Sequence, residues 1–79
     1  MKYALYSLHD TKSQSFAQPF YCPNRAVAIR HYMAAREDET SLVSKFPGDF
    51  RLYELAVFDD STGVVESHAQ PVLVTPTQE

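Results

Sequence analysis

The stretch FPGDFRLYELAVFDDSTGVVE (residues 46–66) decides the fold of this chain. It opens on Pro47-Gly48, runs through an apolar segment over residues 50–59, and closes on DDSTG before a second β-branched run. That pattern predicts a strand, a tight turn and a returning strand. DDSTG suits a type I turn with Gly63 in the left-handed region, a bulged hairpin in which Asp59, Asp60 and Gly63 supply the turn chemistry. Regular alternation puts Phe50, Leu52, Ala56 and Phe58 on one side of the first strand and Tyr53, Leu55 and Val57 on the other. Both sides are then apolar. A small antiparallel sheet with one face in water should instead alternate apolar with polar residues. The sequence therefore raises a question about what covers the second face.

Upstream, MKYALYSLH (residues 1–9) reads as another strand, with Tyr3, Leu5 and Ser7 on one face and Ala4, Tyr6 and Leu8 on the other. DTKSQS is turn-prone. FAQPFYC (residues 16–22) is a second extended run in which Pro19 cannot donate to a ladder, so the run lies at an edge or breaks there. PNRAVAIRHYMAARED is the one strong helical segment, with Asn24 as N-cap. Its apolar stripe is read as Ala26, Ile29 and Met33, with Tyr32 beside it. In SLVSKF, Leu42, Val43 and Phe46 form a short buried turn or one-turn helix. At the other end, PVLV (residues 71–74) either extends the last strand or packs as a separate edge segment. The expectation is a single α+β domain over residues 1–74 with a frayed tail at 75–79. Its order is β-β-α-(α)-β-β, a small antiparallel sheet of three to four strands with one main helix on one face and a short second helical turn.

Seventy-nine residues allow one modest core, and chains this small gain stability from disulfides, metals or self-association. Cys22 is the single cysteine, so no disulfide forms within the chain. His9, His31 and His68 are scattered and no CxxC is present, so no metal site and no cofactor are expected. Self-association remains, and it answers the question of the second face. One helix covers one face of the sheet, and each large side chain left on the other gains roughly 1.5–3 kcal/mol from full burial. Such patches mark interaction sites. No apolar run approaches a membrane helix, no signal peptide is expected, and a lone thiol fits a reducing compartment, so the expectation is a soluble intracellular protein.

Catalytic readings are weak. Asp59-Asp60 lacks the calcium-loop pattern, and neighbouring strand residues point to opposite faces, so turn chemistry explains the pair. Cys22 at a strand end is an ordinary core residue. With only Gly48 and Gly63, no phosphate-cradling loop exists, and the protein is expected not to be an enzyme. The basic residues carry more. Arg25, Arg30, His31 and Arg36 sit on one helix of a chain whose net charge is −3, and Lys2, Tyr3, Tyr6, Arg51 and Tyr53 add charge and rings on the sheet. Such mixtures hold single-stranded nucleic acid, with stacking worth roughly 1–3 kcal/mol per base. The acidic balance opposes purely nonspecific phosphate binding and favours the other reading, in which the rings are core or oligomer interface and the arginines are solvated.

The ordered motifs have a further meaning. Asp10–Lys12 in a D-x-K turn, FAQPF at residues 16–20, PNRAVAIR at 23–30, KFPGDFRLY at 45–53 and FDDSTG at 58–63 together resemble the small nonstructural, ORF-five type protein of gokushovirus-like microviruses, which are single-stranded DNA phages. The resemblance spans residues 3–66. It implies a nonstructural accessory role in the host cytoplasm, in single-stranded DNA synthesis or DNA binding during replication and packaging. It supplies no catalytic residue. The acidic balance differs from the strongly basic, capsid-packaged DNA-condensing protein of such phages. Two functions follow as expectations: weak single-stranded DNA binding by a homo-oligomer, or interaction with a phage or host replication protein without DNA contact.

Overall fold

The computed structural model describes residues 1–75. It is an α+β fold: strands β1 (Lys2–Asp10), β2 (Ser15–Phe16) and β3 (Phe20–Cys22), helices α1 (Arg25–Glu37) and α2 (Leu42–Lys45), a 3-10 turn at Pro47–Asp49, then strands β4 (Phe50–Asp59) and β5 (Val64–Thr75). All pairings are antiparallel, in the order β2-β1-β4-β5, with β3 also on β1. The extended run before α1 breaks where Pro19 predicts, giving two short edge strands and a five-stranded sheet. PVLV extends the last strand through Thr75, which pairs with Leu52. The rest of the expected frayed tail, residues 76–79, lies outside the described residues.

The two turns share one design. In DDSTG, Asp59 Oδ1 accepts from the Ser61 backbone N–H at 2.9 Å, and the Gly63 N–H donates to the Asp59 carbonyl at 2.8 Å. Gly63 has φ 74°, as the hairpin signal requires. In DTKSQ, Asp10 Oδ1 accepts from the Lys12 N–H at 2.9 Å, and the Gln14 N–H donates to the Asp10 carbonyl at 2.8 Å. Gln14 occupies the left-handed position there, at φ 58°.

The core lies between the sheet and the helices. Tyr6, Leu52, Phe50, Cys22 and Val74 from the strands meet Ala28, Tyr32 and Val43. Asn24 caps α1 as expected, accepting from the Val27 N–H at 3.0 Å. The stripe that α1 buries is Ala28 and Tyr32, with Val27, Ile29 and Ala35 partly buried, whereas Ala26 and Met33 are exposed. The expected stripe is therefore rotated, with Ala28 and Tyr32 in the core and an ion pair on the same side. Arg25 Nε donates to Glu54 Oε1 at 3.0 Å, on the side of the helix that also carries Ala28 and Tyr32. Of the three apolar residues around α2, only Val43 is buried; Leu42 and Phe46 are 60% and 54% exposed.

Strand β4 is not regular. Its register with β1 steps from Leu5↔Ala56 to Tyr6↔Glu54, so Leu55 is an extra, bulged residue. A one-residue insertion flips every side chain beyond it. Phe50, Leu52, Glu54 and Val57 therefore face the helices, and Tyr53, Ala56 and Phe58 face the other way. The assignment of Ala56 and Phe58 to the side of Phe50, and of Val57 to the opposite side, is corrected accordingly.

Glu54 is the buried carboxylate this arrangement creates. It accepts from Arg25 of α1, and its Oε2 lies 2.7 Å from His68 Nε2 of β5, so one side chain ties helix and last strand to the sheet centre. Burial works to raise the Glu54 pKa, but the hydrogen bonds from Arg25 and His68 outweigh it and hold the carboxyl below its ordinary value.

Two predictions follow from these contacts. A carboxylate with a lowered folded-state pKa contributes stability above the ordinary glutamate pKa, about 4.3, and loses it as pH falls through the lowered value. Glu54→Gln should thus cost ~1–3 kcal/mol at pH 7, the worth of hydrogen bonds to a charged group, and the gap to wild type should close on acidification. Urea midpoints from pH 7 to pH 3 check this, and a gap constant with pH would refute it. For the turns, a Cβ at Gly63 meets nothing within 4 Å, so Gly63→Ala costs only the backbone term, about 1 kcal/mol. Gln14→Gly should act in the opposite sense by about 0.5 kcal/mol, left-handed strain relieved less chain entropy lost. Same-sign shifts in thermal midpoint would contradict the shared design.

Candidate nucleic-acid interface

The sheet face away from the helices carries the side chains that alternate along β1 at Tyr3, Leu5, Ser7 and His9, with their cross-strand neighbours. Those neighbours are Phe16, Tyr21, Arg51, Tyr53, Ala56 and Phe58, joined from β5 by Val65, Ser67 and Leu73. Its rings form two groups. Tyr3, Tyr21 and Phe58 have centroids 5.9, 6.5 and 6.2 Å apart. His9, Phe16 and Tyr53 have centroids 4.5, 6.0 and 5.7 Å apart. Residues 3 and 9 of one strand place the groups ~20 Å apart. The small, buried Ser7 and Ala56 lie between them. Ser7 Oγ donates to the Ala17 carbonyl at 2.6 Å, so this polar group needs no further partner. Leu5, Tyr21, Phe58 and Val65 line a shallow hollow of about 210 Å³. Phe16 and Tyr21 are 45% and 61% exposed. Among the described residues nothing covers this face.

Its charge is as informative as its rings. The strand carboxylates Asp10, Glu54, Asp59 and Glu66 pair at positions on the helix side, and the paired positions of the aromatic face hold none. Arg51 sits there opposite His9. Its Nη1 donates to the Gly48 carbonyl at 2.7 Å, which folds the guanidinium back over the preceding turn.

The residues expected to contact nucleic acid are not all on one surface. Arg51 and Tyr53 share the aromatic face. Arg25, Arg30 and Arg36 lie on α1, on the far side of the sheet. Arg25 is committed to Glu54, and the Arg36 guanidinium carbon lies 5.9 Å from the Tyr32 ring centroid. Arg30 borders a shallow depression with His31 and Ala34. Lys2 is at the helix-side end of β1, opposite Asp59. Tyr6 is 1% exposed inside the core, so its ring cannot stack on a base. Burial, with the nearby Glu54 charge, pushes its phenol up to about 12.

Asp59 and Asp60 keep their turn role; Asp60 Oδ1 accepts from the Met1 amino group at 2.8 Å. Cys22 is buried, and burial raises its thiol pKa above the ordinary value. Among the described residues no group of three or more His, Cys, Asp or Glu side chains is placed to hold a metal, and no helix is long and apolar enough to cross a membrane. Tyr3 was among the rings named from the sequence, whereas Phe16, Tyr21 and Phe58 on the same face were passed over. A signal for them existed in the Tyr3/Leu5 alternation, but the bulge at Leu55 hid Phe58 from it.

Comparison with known proteins adds one finding. Residues 3–79 match the family described as Phage ORF5 protein. No curated protein and no solved structure matches the chain. A match over almost every residue, running through both turns and all five strands, places the chain in the Phage ORF5 protein family.

Proposed function

We propose that this phage protein is a non-enzymatic, nonstructural accessory protein that binds single-stranded DNA during genome replication or packaging in the host cytoplasm. The reading rests on the aromatic face: two ring groups on a rigid sheet, with the strand carboxylates kept to the other side. Stacking on aromatic rings is tolerant of sequence and is worth roughly 1–3 kcal/mol per base. It also supplies what an acidic chain lacks, because it needs no excess of positive charge. Phosphate contacts are then few, with Arg51 the basic group nearest the rings on the strands. Binding by one subunit is weak, and self-association supplies avidity.

Fluorescence anisotropy with a labelled oligothymidine checks the reading. Tyr21→Ala and Tyr53→Ala should each weaken binding by roughly 5- to 150-fold, the equivalent of one stacked base. Arg51→Ala should lower the log–log salt slope by about 0.7, the value for one phosphate on a single strand. Arg30→Ala/Arg36→Ala, which leaves the Arg25–Glu54 pair intact, should bind as wild type. Loss of binding in that double variant would return the site to the helix. An absence of binding by wild type at low salt would instead assign the apolar face to a replication protein of the phage or its host.

A further inference from the structure

The most exposed rings of the aromatic face lie in a row along one side of β1. Tyr21 of β3 pairs opposite Leu5, and Phe16 of β2 pairs opposite His9. Strand β4 occupies the other side of β1 from Lys2 to Asp10, so β2 and β3 share the remaining one. Four residues of β1, ~13 Å, therefore separate Tyr21 from Phe16. Each is the most exposed ring of its group. No ring fills the interval between them. Ser7 and Ala56 there are small and buried. Tyr53 pairs opposite Ser7, but its ring lies against His9 and Phe16. Phe20 turns to the helix side, against Tyr6 and His31. Ser7 Oγ already donates to the Ala17 carbonyl, so its hydroxyl proton is taken. The two stations also differ in their surroundings. Tyr21 borders the apolar hollow with Leu5, Phe58 and Val65, whereas Phe16 packs on His9, opposite Arg51.

That spacing is too long for neighbouring bases. Successive nucleotides of a stacked DNA strand rise ~3.4 Å, so about four steps join the two rings, and fewer in a strand drawn out straighter. We infer that the face seats two bases that are not neighbours in the strand, one on Tyr21 and one on Phe16. About one to three nucleotides between them cross Ser7 and Ala56 without stacking. The inference rests on the function proposed above and adds to it a ligand length and a spacing. The ligand is a single strand of about three to five nucleotides or more, gripped at two points. Its intervening bases meet no ring and go unread. A duplex cannot supply two such bases, because its own bases are stacked on one another.

Hexanucleotides of constant length and charge test this on the unaltered protein. Each carries two thymines separated by zero, one, two or three abasic residues, with every other position abasic. Each competes at low salt with the labelled oligothymidine. Affinity should pass through a maximum at a separation of one to three, roughly 5- to 150-fold above the adjacent pair, the equivalent of one more stacked base. Tyr21→Ala, an exposed position on a short edge strand, should bring the best-spaced ligand down to the level of the adjacent pair and abolish the dependence on spacing. Far-UV circular dichroism of that variant should stay unchanged. An adjacent pair that binds as tightly as every separated pair overturns the inference and leaves DNA binding standing. So does a spacing preference that survives Tyr21→Ala, or an all-thymine hexamer that fails to displace a label that itself binds. A label that does not bind at all removes the function proposed above, and the two-base seat with it.

Discussion

The extra residue at Leu55 is the constraint on which the rest of this structure depends. Strand β4 is central, paired with β1 on one side and β5 on the other, so its phase sets the phase of the sheet. Before the bulge it sends Phe50, Leu52 and Glu54 toward the helices. After it, Phe58 joins Tyr3 and Tyr21 on the outer face, and Val57 turns inward. Strict alternation would remove Phe58 from the outer ring group and bring it to the helix side. The same irregularity is absorbed in β5 by the step from Ser67↔Ala56 to Val72↔Glu54, which carries His68 to the buried carboxylate. One insertion in the central strand thus assembles both the internal polar tie and the external aromatic surface.

Much of the fold is legible in the sequence because its signals are local. Asn24 before an alanine-rich run, Pro19 in an extended segment, and DDSTG between β-branched residues each specify backbone geometry without knowledge of the partner, and each forms as read. What local reading misses is set by partners distant in sequence. Helix α1 carries small or apolar residues at Ala26, Val27, Ala28, Ile29, Tyr32, Met33, Ala34 and Ala35, so more than one rotation buries an apolar stripe. The rotation found buries Ala28 and Tyr32 and pairs Arg25 with Glu54, twenty-nine positions away, none of which local spacing specifies. The bulge has the same character: no glycine marks Leu55, and the insertion shows only against the registers of β1 and β5. Leu42 and Phe46 were misjudged for a third reason. An apolar residue in a four-residue helix has no periodicity long enough to say which way it faces, and only Val43 points inward.

The residues named from the sequence as candidates for nucleic-acid contact fall on different surfaces of the fold. Tyr53 and Arg51 belong to the exposed face, and the sequence places them in β4. Tyr6 looks equivalent to Tyr3 on composition, yet one residue along a strand exchanges solvent for core. Arginines attract the eye in an acidic chain, but a charge shows its use only beside its partner. Arg25 pairs with the buried Glu54 and Arg36 lies near Tyr32, contacts that sequence spacing does not show.

A net charge of −3 argues against nucleic-acid binding only if charge is spread evenly, and here it is sorted by face. Alternation in β1, β4 and β5 sends Asp10, Glu54, Asp59 and Glu66 to the helix side, and the turns hold others in tight local hydrogen bonds. Thr40 donates to Asp38 and Ser61 donates to Asp59, keeping both carboxyls below their ordinary pKa and therefore charged, on turns rather than on the outer face. At physiological ionic strength a screening length of about 8 Å limits how far such exposed charges reach past the sheet. A polyanion approaching the rings meets a surface that is locally neutral to slightly basic. Under the proposed reading, affinity at such a surface comes from stacking on the rings more than from Coulomb attraction.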